Sequence, residues 1–436
     1  MAVNRAAARI CIVGTGYVGM ACAIGFAELG HRVIGFDILA KRIADLQRGV
    51  TPYREDGIEA ALRPHLAAGT IAFTNSLAAA VRGADFVVIA VGTPSRADGS
   101  ADISAVERAV ADVAAQLSPG ATIVIRSTVP AGTTERLGRE AGVPILYAPE
   151  FLREGSAVRD FLHPDRIVVG AAADDAALSY LALLEGLQRP AIVTAYRNAE
   201  LIKVFSNAFL ALKISFANEV ASFCDAVDAD ALAVLRGVGE DRRIGPEFLQ
   251  PGIGFGGPCF EKDLLALLHV ATETGCARTL VGATLRVNEE QPRRIVAMLA
   301  GELGDLKDAR IGVWGVAFKA GTDDVRDSIA LRIVADLVAR GARPVVYDPA
   351  VREDAGIGCP TAPSALAALE GADALLVLTE WPEFAEIPMW AVAARLRRRV
   401  VVDGRNVLAP EAATAAGLRY RGVGRRPSTI GLANVG

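Results

Sequence analysis

The run Gly252-Ile253-Gly254-Phe255-Gly256-Gly257-Pro258-Cys259-Phe260-Glu261-Lys262-Asp263 sets a single cysteine at the exit of a glycine-rich loop and at the head of an apolar helical pattern. A thiol in that position meets the positive end of a helix dipole, and Lys262 adds a cation next door in sequence, so the thiolate is favoured. At an unperturbed pKa of about 8.5 only a few per cent of a thiol is ionised at pH 7, and each unit of depression raises that fraction about tenfold. The chemistry this permits is nucleophilic attack on an electrophilic carbon. A structural cysteine packed behind a turn is the plainer alternative.

A second signal lies at the other end of the chain. Arg9-Ile10-Cys11-Ile12-Val13 reads as a buried strand and runs into Gly14-Thr15-Gly16-Tyr17-Val18-Gly19, the spacing of a dinucleotide fingerprint. Gly14 suits the tight turn, Gly16 lets backbone approach a pyrophosphate, and Gly19 allows close packing of helix on strand. The following helix offers unpaired amides to phosphate. Asp37 ends the next strand pattern, where a carboxylate meets a ribose diol and repels a 2′-phosphate, which predicts NAD as the cofactor.

These residues need elements to hold them. With 436 residues, 52% of them hydrophobic, the chain has material for two or three domains. A net charge of −4 gives no electrostatic reason to expect nucleic acid or an anionic membrane as partner. The six cysteines, Cys11, Cys22, Cys224, Cys259, Cys276 and Cys359, and the four histidines lack metal-ligand spacing, so neither a zinc site nor a disulfide framework is expected. No apolar run reaches membrane-spanning length, and no cleavable hydrophobic segment precedes the first strand, which predicts a cytoplasmic protein.

Strand patterns recur at Ile10–Val13, Val33–Phe36, Phe86–Val91, Thr122–Ile125, Ile145–Tyr147 and Ile167–Val169, with helical patterns between most of them. From Ala199 to about Ala300 three long helical patterns take over, and strands return at Ile311–Trp314, Pro344–Tyr347, Leu375–Leu378 and Val400–Val402. The fold class expected is α/β, with two Rossmann-like doubly wound domains joined by a long-helix core: residues 1–198, 199–304 and 305–436. The outer domains echo each other, Val33 to Asp37 with Val345 to Asp348 and Ala84-Asp85 with Ala372-Asp373, but Gly312 to Phe318 lacks the fingerprint spacing and predicts a different ligand. The Arg/Gly/Pro-rich tail from Arg419 onward reads as mobile.

Three motifs in order, GTGYVG, PEFLREG at 149–155 and GFGGPCFEKD at 254–263, resemble the UDP-glucose/GDP-mannose dehydrogenase family, and the likeness runs over nearly the whole chain. Pro164-Asp165-Arg166 and Arg243-Ile244-Gly245 are similar to the branch that takes UDP-glucose. The resemblance implies an NAD domain, a helical dimerisation core and a UDP-sugar domain, with the active site between the outer two. It implies oxidation of a sugar C6 alcohol to the carboxylate, UDP-glucose to UDP-glucuronate, by two hydride transfers to NAD. Cys259 is then the nucleophile, forming a thiohemiacetal and a thioester that water cleaves.

The same resemblance implies that Lys203 and Asn207, four apart on the first long helix, steady the developing alkoxide. Glu154 transfers a proton in thioester hydrolysis, and Asp263, with Thr128, orients the attacking water. The cofactor set carried over is Gly14, Gly16, Val18, Gly19, Asp37, Arg42, Thr93, Thr128, Glu154, Lys262 and Arg326. The sugar-nucleotide set is Glu150, Phe151, Leu152, Arg153, Glu154, Lys203, Asn207, Phe248, Leu249, Gln250, Pro251, Gly252, Gly256 and Lys319, with Arg243 reaching from a neighbouring subunit. Taken singly, Lys203 and Asn207 also read as a solvated helix face, Glu150 and Glu154 as exposed acids, Asp263 as a charge favouring its helix end, and Lys319 and Arg326 as surface cations.

Two residues depart from the family pattern. Pro258 stands where serine usually precedes the nucleophile and removes one amide beside the thiol. Glu261 stands where proline is common and opposes thiolate formation if it points inward. GDP-mannose, TDP-glucose and N-acetylhexosamine nucleotides stay open as substrates. A non-catalytic dinucleotide sensor needs none of Cys259, Lys203, Asn207, Asp263 and Glu154, and a single-step 2-hydroxy-acid or 6-phosphogluconate type dehydrogenase has no use for the cysteine or a second nucleotide-binding-like domain.

Overall fold

The computed structural model describes residues 7–55, 57–276, 279–351 and 356–425. Two compact units emerge, residues 1–206 with 265–275 and residues 207–264 with 276–436. The first is built on an eight-stranded sheet of order β3-β2-β1-β4-β5-β6-β7-β8. Its strands are β1 (Arg9–Val13), β2 (Arg32–Phe36), β3 (Ile71–Thr74), β4 (Phe86–Ile89), β5 (Thr122–Ile125), β6 (Ile145–Tyr147), β7 (Ile167–Gly170) and β8 (Ala191–Thr194). All neighbours pair parallel except β6 and β7.

The central strands are apolar on both faces because helices cover both, and β4 and β5 are buried along their whole length. The strands missing from the sequence reading are the two edges. Ile71–Thr74 buries alternate residues, and Ala191–Thr194 is mostly exposed, so neither carries a continuous apolar run. Order reverses between β1 and β4, and the loops after β1, β2, β4 and β5 all open at the carboxyl ends of the strands, where such sheets bind ligands.

The second unit holds a five-stranded parallel sheet, β10-β9-β11-β12-β13: β9 (Arg310–Trp314), β10 (Arg343–Tyr347), β11 (Ala374–Val377), β12 (Val400–Asp403) and β13 (Arg419–Gly422). The last strand corrects the expectation of a mobile tail from Arg419. It pairs with β12, and the Tyr420 hydroxyl donates to Asp403 at 3.1 Å; residues 426–436 lie outside the described residues. Among the described residues four helices occupy the middle of the chain, Tyr196–Val227, Ala231–Gly239, Phe260–Thr274 and Thr279–Leu303.

The echo between the outer parts is physical. Asp85 accepts the amide of Arg9 at 2.8 Å, and Asp373 accepts that of Arg310 at 2.9 Å, so each aspartate ties the start of the first strand to the strand beside it. Asp37 and Asp348 likewise end equivalent strands and accept amides from the loop after the first strand, Thr15 in one case and Val316 and Ala317 in the other.

The turn from β1 into the helix Tyr17–Glu28 leaves no room at Gly19, where a Cβ would stand 1.8 Å from the Gly14 carbonyl oxygen. Gly19→Ala is expected to destabilise the protein by about 3 kcal/mol or more, read as a lower denaturant midpoint; an unchanged midpoint would contradict this packing.

Candidate active site

Each unit carries its own group of candidate residues. In the first, the fingerprint loop follows β1. Gly14 takes φ +93°, and a Cβ built at Gly16 meets nothing within 4 Å, so the backbone there is open to a ligand. Val18 packs partly into the core beneath.

Asp37 is 5% exposed and accepts from the Thr15 amide and hydroxyl, the Leu39 amide and Arg42 Nη1, all at 2.9–3.0 Å. Burial opposes its charge, yet those two amides and the guanidinium hold its carboxyl below the ordinary range. Arg42 is therefore recruited by Asp37. The loops bearing Thr93 and Thr128 are joined by the Ser127 hydroxyl, which donates to the Val91 carbonyl at 2.7 Å.

In the segment that follows Thr128, the amides of Gly132 and Thr134 donate to buried Glu200 of the helix Tyr196–Val227 at 2.6 and 2.8 Å. One turn later, Lys203 is 4% exposed and donates to Glu150 Oε1 at 2.8 Å. The other Glu150 oxygen accepts the Leu152 amide at 2.6 Å. Burial works against the Glu150 charge, but Lys203, the Leu152 amide and the Arg126 guanidinium hold its carboxyl below the usual range. Lys203 and Glu150 are thus a buried ion pair, neither a solvated helix face nor an exposed acid.

Phe151 receives two cations, Arg166 over its ring at 4.1 Å and Lys203 at 5.4 Å. Arg166 also donates to Ser206 at 2.9 Å, which joins the Pro164-Asp165-Arg166 motif to PEFLREG. Arg153 is exposed and pairs with Asp160, and Glu154 is half-buried in the same loop.

In the second unit, Cys259 is exposed and immediately precedes the helix Phe260–Thr274, its carbonyl accepting the Asp263 amide at 3.0 Å. Asp263 is 2% exposed. Its Oδ2 accepts from Asn207 Nδ2 and its Oδ1 from Lys262 Nζ, each at 2.6 Å. The neighbouring cation expected from sequence thus sits on this carboxylate. Glu261 pairs with Arg332 at 2.6 Å, so its charge is met by a guanidinium that sequence reading did not connect with it.

Upstream, Phe248 takes φ +63°, rare for a bulky residue, and its ring lies edge-on to Phe260 at 6.3 Å. Leu249, Pro251 and Gly252 are buried while Gln250 is exposed, and Gly256 packs against the Asp327 carbonyl. Arg243 is exposed and pairs with Asp241, Arg326 with Asp324, and Lys319 stands 5.8 Å from the Phe318 ring. Sequence reading missed Asn218 and Asn288. Asn218 accepts the Gly252 amide at 2.7 Å, and Asn288 holds both backbone groups of Phe255. Their signal was a polar residue set among the apolar positions of a helix.

A doubly wound sheet with a fingerprint loop and an acid ending its second strand, in a chain that also holds a second parallel sheet and a cysteine at a helix head, defines a nucleotide-binding α/β protein. Three family models match in order: the NAD binding domain (residues 8–190), the central domain (197–290) and the UDP binding domain (312–410) of the UDP-glucose/GDP-mannose dehydrogenase family. The chain belongs to that family. It is 40% identical to a UDP-glucose 6-dehydrogenase of Rhizobium meliloti (strain 1021), over 96% of this chain and 99% of the relative. Among solved structures it is similar to a UDP-glucose dehydrogenase from the archaeon Pyrobaculum islandicum, with a TM-score of 0.90, 40% identity, and 97% and 99% of the two chains covered. It is also similar to a UDP-D-ManNAc dehydrogenase from Pyrococcus horikoshii, with a TM-score of 0.86, 29% identity, and 96% and 99% covered. No helix among the described residues is long and apolar enough to cross a membrane.

Glu150→Gln takes the carboxylate out of a buried ion pair and is expected to cost about 3 kcal/mol at pH 7. Because the folded pKa of Glu150 is depressed, the stability it contributes is complete above the unfolded value of about 4.3 and is lost as pH falls through the folded value. The gap in unfolding free energy between variant and wild type should therefore narrow below about pH 4.3. A gap constant down to pH 3 would contradict this.

Proposed function

We propose that this protein is an NAD-dependent UDP-glucose 6-dehydrogenase that makes UDP-glucuronate by two successive two-electron oxidations. The observation that carries the reading is the exposed Cys259 thiol at the head of its helix, with buried Asn207 and the partly buried Lys262 both bonded to buried Asp263 of that helix. The names of the Rhizobium and Pyrobaculum relatives support UDP-glucose as the substrate. Residues 1–198 would hold NAD, 199–304 form the core of a dimer and 305–436 hold the nucleotide sugar.

The open backbone at Gly16 and the acid at Asp37 fit a dinucleotide, with Gly14, Val18, Gly19, Arg42, Thr93, Thr128, Glu154, Lys262 and Arg326 completing the set. NAD, when bound, supplies the hydride acceptor, one for each oxidation. Lys203, paired with Glu150, steadies the negative charge that develops on the C6 oxygen as the hydroxyl proton passes to water, and Asn207 donates a hydrogen bond to that oxygen. The Cys259 thiolate adds to the C6 aldehyde to give a thiohemiacetal, whose oxidation leaves a thioester. Glu154 takes a proton from water as it attacks the thioester, and the C–S bond breaks to release the carboxylate and regenerate the thiolate.

The sugar nucleotide is held by Glu150, Phe151, Leu152, Arg153 and Glu154, by Phe248 to Gly252, by Gly256 and by Lys319. The working protein is a homodimer in the cytoplasm. Phe209, Phe216, Phe223 and Val227 are 61%, 45%, 67% and 70% exposed and recur at intervals of 7, 7 and 4 on one helix, an apolar seam that a second copy would cover. Arg243, exposed here, would reach the partner's site.

The purified protein should release two NADH per UDP-glucose consumed and yield UDP-glucuronate. A ratio of one would mean an aldehyde product and no thioester step; turnover only with another nucleotide sugar would move the substrate and keep the chemistry. Cys259→Ser should abolish acid formation while NAD and UDP-glucose still bind, and acid at near wild-type rate would overturn the covalent route. Light scattering should give a dimer at micromolar concentration, and a monomer would count against the seam.

A further inference from the structure

The helix Thr279–Leu303 has a buried stripe at Thr284, Asn288, Gln291 and Ile295, the first three polar and each 3% exposed. Asn288 makes two buried bonds, its Oδ1 accepting the Phe255 amide at 2.7 Å and its Nδ2 donating to the Phe255 carbonyl at 2.9 Å. A side-chain amide that meets donor and acceptor of one residue copies a strand neighbour, and it fixes the orientation of that residue as well as its distance.

The loop has shaped itself to this grip. Gly254 takes φ +107°, and a Cβ there would lie 2.6 Å from Asn288 Oδ1, so the approach needs glycine on both counts. Phe255 is 4% exposed, and its ring stands edge-on to Phe260 at 5.9 Å and 85°. Phe260 is the residue after Cys259 and the first of its helix. A chain of contacts thus runs from buried Asn288 through the buried Phe255 backbone and ring to the turn that carries the thiol.

We infer that Asn288 is a positioning residue for the Cys259 nucleophile, acting through both backbone groups of Phe255. This rests on the covalent reading above. A displacement near 1 Å at a reacting group costs on the order of a hundredfold in rate, so loss of the clamp acts on the step that needs the thiol.

Asn288→Ala is expected to lower kcat by roughly tenfold to a hundredfold, leave KM for NAD within about twofold, and bring NADH per UDP-glucose from about two toward one as aldehyde escapes capture. Asn288→Asp keeps volume and the acceptor for the Phe255 amide, so it should fall between the two, and it decides the matter if the alanine variant does not fold. A measurement independent of turnover is iodoacetamide labelling of Cys259 relative to Cys276, which is also exposed. Release of the thiol from the helix head should lower that ratio at least about fivefold. A folded variant with wild-type kcat, stoichiometry and labelling ratio would overturn the inference. A wild type without NADH, whose labelling ratio still falls on substitution, would refute the proposed reaction and leave the clamp standing.

Discussion

Asp263 is a carboxylate with almost no water to hold it. A buried, uncompensated charge of this kind costs several kcal/mol, so the fold must bring Asn207 and Lys262 to it. That requirement pins the start of the helix Phe260–Thr274 to the long helix Tyr196–Val227, because the two side chains that satisfy Asp263 belong one to each. Cys259 inherits its place from the same arrangement, since its carbonyl accepts the Asp263 amide and its thiol emerges where the loop ends. The expected use of Asp263, orienting water, and its structural use, tying two helices, are compatible only if the ties hold.

The first unit solves a similar problem with Lys203 and Glu150. Both are buried and meet in one ion pair, whose carboxylate also accepts the Leu152 amide. Glu200 fastens the same stretch of helix to the loop after β5, so the segment that presents the ammonium is held at two points one turn apart. The sheet contributes the remaining order. Its strand reversal opens the loops after β1 and β4, and Asp37 draws Thr15, Leu39 and Arg42 into one hydrogen-bonded group at the mouth of that opening.

What could be read from the sequence follows from the range of each interaction. Ile10–Val13 and Phe86–Ile89 declare themselves because a strand covered on both faces is apolar throughout, and the fingerprint because its glycines lie within six residues. The edge strands Ile71–Thr74, Ala191–Thr194 and Arg419–Gly422 carry half that signal or less, and the last was masked by arginine and glycine. Cys259 could be singled out by its loop, but the partner that meets the neighbouring Glu261 is 71 residues away and Asn288 is 33 from the backbone it grips. Pairings at such separations leave no period in the chain.

The proposed reaction depends on a covalent bond at Cys259. Wild-type protein mixed with UDP-glucose and NAD, quenched in acid during the first turnovers and digested, can be weighed peptide by peptide. A hydroxylamine-sensitive uridine-diphospho-glucuronyl adduct on the peptide containing Cys259, lost in Cys259→Ser, is the predicted result. Acid product accumulating with no adduct there, or with an adduct on another cysteine, would contradict it.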